Sequence, residues 1–243
     1  MTDLLYQLDS YLKDFDAVVT LINEADRAVV LDRSAFYPGG GGQPCDTGTL
    51  QFGGTVYPVT KVRKSPEGSW HTLGGDSPLP SVSSPARGNI NWENRYKLMR
   101  THSALHILCG VIFRDYGAQV TGGDMEPLAG RMDFEFETLT KDLISVIEEA
   151  VNREVAMSRP IRVKILPREE AFKIPDLIRT KINLLPPGIL EVRTVEIEGL
   201  DLQADGGTHV HNTSEVGHIR IADYKSKGKI NKRIYIEMNP QGN

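Results

Sequence analysis

The first third of the chain alternates apolar and polar residues over short runs that are separated by turn residues. Residues 16–38 (DAVVTLINEADRAVVLDRSAFYP), 48–64 (GTLQFGGTVYPVTKVRK) and 68–75 (GSWHTLGG) all follow this pattern. A period of two is typical of strands with one buried face, and closely spaced turn signals favour hairpins. The pattern therefore predicts a small, mostly antiparallel β domain.

The hydrophobic period becomes helical after residue 90. Residues 91–117 (NWENRYKLMRTHSALHILCGVIFRDYG) begin with Asn91, a candidate helix cap, and carry apolar residues at near-helical spacing. A second helix is predicted over residues 138–157, with the apolar stripe Leu143, Ile147, Ala150 or Val151, and Val155. Strand-like runs such as GRMDFEFE and KRIYIEM surround the helices. We therefore predict a larger α+β domain with a mostly antiparallel sheet and two long helices.

Residues 74–88 (GGDSPLPSVSSPARG) separate the two patterns. They contain three prolines and four serines and show no regular period. Such a composition is typical of a linker. We therefore predict a β-rich domain over residues 1–88 and an α+β domain over residues 89–243.

Composition narrows the functional classes. The 243 residues carry a net charge of -4, which argues against a generally basic nucleic-acid binder but allows a local basic face. The two cysteines cannot form a disulfide framework, as expected in a reducing compartment. Because no run approaches the roughly 18 apolar residues of a membrane span, we expect a cytoplasmic protein without a membrane partner.

The first predicted helix carries a pair of candidate metal ligands. His102 and His106 are four residues apart and therefore project from the same face. This spacing suits metal chelation, although histidine pairs at this interval also arise by chance and serve structural roles. Cys109 extends the face, but a rise of about 1.5 Å per residue places its backbone roughly 10 Å from that of His102. We therefore assign Cys109 to the core.

The segment ADGGTHVHNT (204–213) holds a second group of candidate ligands. Asp205 and His209 bracket two glycines and a threonine, and glycines allow a tight turn and the close approach of a ligand. The alternative is a glycine turn with a surface histidine. Together the two segments offer three imidazoles and a carboxylate, a suitable ligand set for Zn2+. We assign His211 an outer role and His71, in the β domain, none.

These motifs resemble those of a known family. RTHSALHIL, followed about a hundred residues later by ADGGTHVHNT, resembles the paired H-x-x-x-H and C-G-G-T-H-V signatures of the alanyl-tRNA synthetase editing domain and of its free-standing relatives, the AlaX proteins. SAFYPGGGGQPCDTG (34–48) resembles the glycine-rich segment of the medium-length AlaX type. The resemblance covers nearly the whole chain and implies a barrel-like fold for the β domain.

The resemblance implies a trans-editing hydrolase that deacylates tRNA(Ala) mischarged with serine, with glycine as a second candidate, and that uses no nucleotide cofactor. The family's zinc ligands correspond to His102, His106 and His209, whereas Asp205 stands where the family has a cysteine. A carboxylate there is either a zinc ligand or an outer partner, with water as the fourth ligand. Zinc either holds the substrate's amino group or polarises the attacking water, and the sequence does not choose between these roles.

Candidate substrate-binding residues come from two loops. Ser34 stands at a threonine position of the family's glycine-rich segment and is our candidate for reading the seryl hydroxyl. Gln43 is a candidate for orienting water or the ester carbonyl. A solvated serine and a flexible glycine turn are the alternatives. The other predicted substrate residues are Gly206, Gly207 and Thr208, together with Gly39, Gly40, Gly41 and Gly42, whose N–H groups suit developing negative charge.

A basic segment near the C-terminus is the candidate tRNA surface. Residues 220–233 (RIADYKSKGKINKR) carry six lysines or arginines against one aspartate. Such a cluster is typical of phosphate contacts, although charge runs also occur on solvated edges. The predicted contacts are Lys225, Lys227, Lys229, Lys232 and Arg233, together with Arg100 ahead of the histidine pair.

Two other functions remain open at this point. One is a non-catalytic, zinc-stabilised tRNA-binding module, in which Asp205 marks an altered site. The other is a metallohydrolase of small esters, which retains the zinc but does not depend on tRNA. The sequence does not predict the oligomeric state.

Overall fold

A computed structural model describes residues 2–181, 185 and 188–240. The chain forms two compact units. The barrel unit comprises Met1–Gly40 and Pro44–Tyr96, and the α+β unit comprises Gly41–Gln43 and Lys97–Asn243. The units therefore divide after Tyr96 rather than at residue 88. The short segment Gly41–Gln43 belongs to the α+β unit although its sequence neighbours belong to the barrel.

The barrel unit is a closed, antiparallel six-stranded barrel with the strand order β2-β3-β7-β6-β5-β8. Two very short strands, β1 and β4, pair with each other in parallel outside the barrel. The predicted antiparallel β-barrel is thereby confirmed. The strands are β1 (Asp3–Leu4), β2 (Asp14–Asn23), β3 (Ala28–Leu31), β4 (Arg33–Ser34), β5 (Gly48–Phe52), β6 (Thr55–Ser65), β7 (Gly68–Leu73) and β8 (Pro85–Ile90).

The barrel core forms from the buried half of each alternating strand. Burying these apolar side chains is the main force that closes the sheet. Strand β8 alternates exposed and buried residues along its length and places Ala86 and Ile90 in this core. Residues 85–88, which the sequence assigned to a linker, therefore begin a barrel strand instead. Gly88 has no side chain there because a Cβ would lie 2.4 Å from the Phe15 ring.

The α+β unit contains two antiparallel sheets and most of two long helices. A four-stranded sheet has the order β14-β15-β10-β9, and a three-stranded sheet has the order β11-β12-β13. This confirms the predicted architecture. The helices are α1 (Trp92–Tyr116), α2 (Lys141–Ala156) and the short α3 (Arg168–Ala171). The strands are β9 (Val120–Glu126), β10 (Ala129–Glu135), β11 (Ile161–Pro167), β12 (Glu191–Ile197), β13 (Asp201–Ala204), β14 (Ile219–Ser226) and β15 (Asn231–Met238).

Helix α1 begins where the sequence predicts, because the Asn91 side chain accepts a hydrogen bond from the Asn94 N–H at 3.3 Å. Every residue from 98 to 112 is buried, so the helix has no solvent-facing stripe over this length. Five of these buried residues are polar. Buried polar groups are expensive without partners, so this stretch is where a functional site is expected. No helix in the described part of the chain is both long and apolar enough to cross a membrane.

Helix α2 begins at Lys141, three residues later than predicted. Thr140 caps it by accepting from the Leu143 N–H at 3.2 Å. The predicted stripe is correct at Ile147, Ala150 and Val151. Leu143 and Val155 are only half-buried, and Ile144 and Glu154 are buried instead. Glu154 is tolerated inside because Arg114 and Arg159 pair with its carboxylate.

Candidate metal centre of the α+β unit

Four potential metal ligands from distant parts of the sequence lie together in the α+β unit. His102 and His106 come from helix α1, and Asp205 and His209 come from the loop after strand β13. One donor atom from each lies within 4.8 Å of all the others. The three imidazole centroids are 4.3, 4.6 and 5.0 Å apart. The structure thus brings together the residues that the sequence assigned to one site.

The loop that supplies Asp205 requires a glycine at position 207. A Cβ on Gly207 would lie 2.3 Å from His102 Cε1 and 2.7 Å from Gln43 Oε1, closer than any real contact. The Gly207 N–H also donates to Asp205 Oδ2 at 2.7 Å. The backbone therefore packs directly against the histidine ring and holds the carboxylate. Gly206, by contrast, is exposed and a Cβ there would meet open space.

Gln43 fixes the orientation of His102. Its Oε1 accepts from His102 Nδ1 at 2.9 Å and from the Thr208 N–H at 3.1 Å, while its Nε2 donates to Thr208 Oγ1 at 2.8 Å. The Thr208 N–H can only donate, which identifies the oxygen of the Gln43 amide. Nδ1 of His102 must then carry the proton, so Nε2 keeps its lone pair. The Gln43 amide is thus bonded to His102 and Thr208. Its role in orienting water or the ester carbonyl stays a prediction.

The other two histidines also lie beside polar groups. His209 Nδ1 lies 3.2 Å from Ser103 Oγ. His106 Nδ1 lies 3.4 Å from Asp201 Oδ2 but makes no hydrogen bond to any residue that the structure describes. Metal-binding histidines typically hold one ring nitrogen with a polar neighbour and offer the other to the ion. Sequence reasoning missed Ser103 and Asp201. The available signal was weak: Ser103 adjoins His102, and Asp201 opens the DLQAD segment four residues before Asp205.

Two arginines lie next to the carboxylates of Asp201 and Asp205 and offset their negative charge. Arg179 Nε lies 3.2 Å from Asp201 Oδ1. Arg193 donates from Nη1 to the Asp205 carbonyl at 3.0 Å and lies 3.7 Å from its carboxylate. Both carboxylates are therefore buried next to an opposite charge, as buried charges require. Neither arginine was singled out from the sequence.

The protonation states favour metal binding. Burial lowers the pKa of His102 well below its ordinary value and that of His209 to about 4. Burial alone raises the pKa of Asp205, but the neighbouring His102, His209 and His106 hold it well below its usual range. For His106, burial lowers the pKa and Asp201 with Asp205 raises it, with a net rise. Neutral imidazoles and an ionised carboxylate are the forms that bind a divalent cation.

Ser34 and His71 form a buried pair in the barrel unit. Ser34 Oγ lies 2.8 Å from His71 Nε2 and also accepts from the Phe36 N–H at 3.2 Å. Neither side chain has measurable exposure. His71, to which the sequence assigned no role, is thus the direct partner of the serine that the sequence assigned to substrate reading. The role of Ser34 in substrate reading stays a prediction.

The glycine run adopts a backbone that only glycine accepts readily. Gly39, Gly40, Gly41 and Gly42 have φ angles of 83, 137, 58 and 87°. In the barrel unit, Tyr37 and Asp46 flank the run. The Asp46 N–H donates to the Tyr37 carbonyl at 2.9 Å, and the Asp46 carboxylate accepts from the Tyr37 N–H at 2.5 Å. Positive φ angles are unstrained for glycine but strained for residues with a Cβ. Substitution at any of the four positions is therefore expected to destabilise the fold.

The residues predicted to contact tRNA differ in how far their side chains are exposed and in whether they are already paired. Lys225 and Arg233 are paired with Asp223 and Asp133, at 3.1 and 2.7 Å. Lys227 and Lys229 are exposed on the β14–β15 hairpin. The other two predicted contacts are buried. Lys232 is 6% exposed and donates to the Gly228 and Lys229 carbonyls. Arg100 is 3% exposed and donates to the carbonyls of Val216, Asn239 and Pro240.

Comparison with known proteins gives consistent matches. The family model for the threonyl and alanyl tRNA synthetase second additional domain matches residues 192–235, and that for class II (A) tRNA synthetases matches residues 6–94. The chain is 41% identical to the alanyl-tRNA editing protein AlaX-M of Saccharolobus solfataricus, covering 99% of this chain and 100% of the relative. It is 37% identical to the AlaX-M protein of Methanosarcina barkeri over 98% of this chain and 99% of that one. It is also 38% identical to the alanine–tRNA ligase of Ignicoccus hospitalis, over 90% of this chain and 24% of the ligase.

Proposed function

The chain belongs to the family of AlaX-M alanyl-tRNA editing proteins, and from this premise we propose that it hydrolyses the ester between a wrong amino acid and tRNA(Ala). The match extends over the whole chain, and the relatives of similar length carry that name. The observation that carries the proposal is the convergence of His102, His106, Asp205 and His209 on one buried point. We propose an editing hydrolase that works in the cytoplasm without a nucleotide cofactor.

The donor set fits zinc. Three imidazoles and one carboxylate are the nitrogen and oxygen donors that zinc accepts, and their number matches its usual four-coordinate sites. The lowered pKa values of His102 and His209 favour neutral imidazoles and that of Asp205 an ionised carboxylate, whereas the pKa of His106 is raised. In the proposal, His102, His106 and His209 hold the ion together with Asp205. Bound there, zinc supplies the positive charge that favours hydrolysis of an ester or holds the substrate's amino group.

The residues around the centre orient it and bind the substrate. Gln43 and Ser103 fix the rings of His102 and His209, so that both present Nε2 towards Asp205. The exposed Gly206 and the adjoining Gly207 and Thr208 form the loop on which the aminoacyl ester is placed. A loop without side chains lets a substrate approach the backbone closely. The N–H groups of the glycine run, Gly39 to Gly42, are proposed to bind the developing negative charge.

The proposed substrate is tRNA(Ala) that carries serine, with glycine as the second substrate. The correct product differs from the serine ester only by lacking a hydroxyl group. A buried polar partner of that hydroxyl discriminates strongly, because the alanyl ester would leave the partner unpaired. Ser34 is the proposed partner. Its hydroxyl is bonded to His71, so reading a seryl group involves exchange or extension of that hydrogen bond.

The proposed tRNA contacts are the basic residues that remain on the surface. Lys227 and Lys229 are exposed, and Lys225 and Arg233 lie on the same hairpin. Such residues contribute phosphate contacts that do not depend on sequence and weaken with salt. Lys232 and Arg100 are used by backbone carbonyls, and we leave both out of the proposed surface.

The deciding experiment compares Ser-, Gly- and Ala-tRNA(Ala) as substrates, each with the untreated protein and with protein stripped of metal by a chelator. We expect rapid hydrolysis of the serine ester, slower hydrolysis of the glycine ester, little hydrolysis of the alanine ester and loss of all activity on stripping. A tRNA-binding module would bind all three without a rate above buffer. A hydrolase of small esters would cleave seryl esters of short alcohols as fast as the tRNA.

A further inference from the structure

The candidate metal centre contains no sulfur. Among the described residues, the cluster of possible ligands consists only of three histidines and one aspartate. The chain has two cysteines, of which Cys45 belongs to the barrel unit. Cys109 is buried in helix α1, where burial strongly raises the pKa of its thiol. A protonated thiol is not a metal ligand. The charged donor available to an ion is therefore the Asp205 carboxylate.

The Asp205 carboxylate is held in a fixed position. Its Oδ2 accepts from the Gly207 N–H at 2.7 Å, lies 3.0 Å from His209 Nε2 and faces Arg193 at 3.7 Å. Its Oδ1 lies 3.5 Å from His102 Nε2. The backbone of the same residue is fixed as well, because its carbonyl accepts from Arg193. Each oxygen of the carboxylate therefore lies near the Nε2 atom of one candidate ligand, Oδ1 near His102 and Oδ2 near His209.

We propose that Asp205 binds the metal directly and that this makes the centre suitable for harder divalent cations, so that Mn2+ and Co2+ compete with Zn2+ far better than they would at a thiolate site. The inference rests on the metal binding of the proposed function but not on its editing chemistry. Thiolates favour soft and borderline metals such as zinc, whereas carboxylates suit manganese and other hard cations. Imidazoles accept all three ions. A carboxylate in place of a thiolate at this position therefore makes the site less selective for zinc over manganese and cobalt.

The same substitution removes the one ligand type that peroxide oxidises readily. Thiolates are converted to sulfenic and higher acids and then lose their metal, whereas carboxylates and imidazoles are not on that oxidation pathway. A centre of imidazoles and a carboxylate lacks this route to metal loss. Cys109, buried in helix α1, is protonated and inaccessible, so its reaction with peroxide is slow as well.

The test uses the full chain stripped of metal and three variants, Asp205→Asn, Asp205→Cys and Cys109→Ala. Zn2+, Mn2+ and Co2+ affinities are measured by competition with a coloured chelator, and thermal unfolding confirms that each variant is folded. Asparagine can still accept from the Gly207 N–H through its side-chain oxygen, so Asp205→Asn retains the loop contact. We expect Asp205→Asn to weaken the binding of all three ions. We expect Asp205→Cys to raise the ratio of zinc affinity to manganese affinity on the order of tenfold or more, because exchange of a ligand should matter at least as much as loss of a ligand's hydrogen-bond partner.

The cobalt-loaded proteins provide a spectroscopic readout that does not depend on activity. Thiolate ligation gives cobalt an intense near-ultraviolet band, which is expected in Asp205→Cys and absent in the unaltered chain and in Cys109→Ala. X-ray absorption of the zinc-loaded, unaltered chain gives the same information without any substitution, and nitrogen and oxygen neighbours alone are expected. A sulfur neighbour in that spectrum, full affinity in Asp205→Asn, or equal affinity ratios in the unaltered chain and Asp205→Cys would each overturn the inference.

The outcomes separate this inference from the proposed function. If the unaltered chain binds no divalent cation, both fail. If it binds metal as described but does not deacylate tRNA(Ala), the assignment of Asp205 stands and the editing proposal fails. If it deacylates tRNA(Ala) with a metal whose affinity does not depend on Asp205, the editing proposal stands and the assignment of Asp205 fails.

Discussion

His102 Nδ1 and the side-chain oxygen of Gln43 lie 2.9 Å apart, although 59 residues separate them in the sequence. Gln43 and the histidine motif of helix α1 therefore belong to one hydrogen-bonded arrangement within the α+β unit. The first fixes the tautomer of the second, and the tautomer decides which nitrogen is available to a metal.

Gln43→Ala removes the acceptor of the His102 Nδ1 proton and of the Thr208 N–H. We expect metal affinity to fall by about 10- to 100-fold, as for other outer partners of metal-binding histidines, with the fold retained. Competition titration with a chelator measures the metal affinity. Gln51→Ala, at an exposed position of the barrel, is the matched control and should leave the affinity unchanged. Unchanged affinity in both variants would show that Gln43 does not orient His102.

Gly207→Ala and Gly206→Ala form a second matched pair. A Cβ at position 207 collides with the His102 ring and with Gln43, whereas one at position 206 meets nothing within 4 Å. We expect the first variant to lose bound metal and hydrolysis, and the second to keep its metal. Elemental analysis of both proteins after equal exposure to zinc measures the difference. Equal metal content would mean that the ligand loop is not packed as described.

Ser34→Ala tests the reading of the substrate side chain. It removes a hydroxyl that is bonded to His71 and to the Phe36 N–H in the barrel unit. We expect the ratio of serine to alanine ester hydrolysis to fall while zinc content stays at the level of the unaltered chain, because a lost polar contact reduces discrimination. Parallel deacylation assays and elemental analysis provide both numbers. A ratio that does not move would remove Ser34 from the specificity proposal.

The buried His71 predicts a pH dependence of stability. Burial lowers its pKa from 6.5 to about 4, and the Ser34 hydroxyl, the Val29 carbonyl and the Phe36 ring contact it. Between these values the unfolded chain binds a proton that the folded chain does not. The stability linked to His71 is therefore complete above pH 6.5 and decreases by about 3 kcal/mol as the pH falls to 4.

Urea unfolding at pH 7 and at pH 4.5 measures this effect by comparing the unaltered chain with His71→Gln. The variant should lose less stability between the two pH values, even if it is less stable at pH 7. His218→Gln replaces an exposed histidine and should follow the unaltered chain. Parallel losses in the unaltered chain and in His71→Gln would contradict the buried, neutral state of His71.

The sequence predicted those parts of the site that depend on local spacing. The interval of four between His102 and His106 places both on one helix face, and the glycines beside His209 indicate a tight loop. The change of hydrophobic period also separates a β-rich part from an α+β part, whereas closure of the β-rich part into a barrel was implied by the family resemblance. The partners Ser103, Asp201 and Arg193 could not be predicted in the same way, because each meets the cluster only through tertiary packing. Likewise the ion pair of Arg233 with Asp133 depends on the pairing of β10 with β15, which the sequence alone does not show.

Helix α2 and strand β8 show a further limit of sequence patterns. The helical period extends to residue 138, but the Thr140 side chain accepts from the Leu143 N–H and caps the helix, which begins at Lys141. Prolines and serines indicate a linker up to residue 88, yet Pro85 begins a strand that pairs with β2 and β5. In both cases a specific hydrogen-bonding arrangement outweighs composition.

The central claim is that one divalent ion, held by His102, His106, Asp205 and His209, is required for hydrolysis of Ser-tRNA(Ala). The most direct measurement is single-turnover deacylation by metal-free protein to which zinc is added in increments. We expect a rate near that of buffer without metal, a linear rise and a plateau at one zinc per chain, with no rise in His209→Ala. Full activity of the metal-free chain, or an equal rise in His209→Ala, would contradict the account.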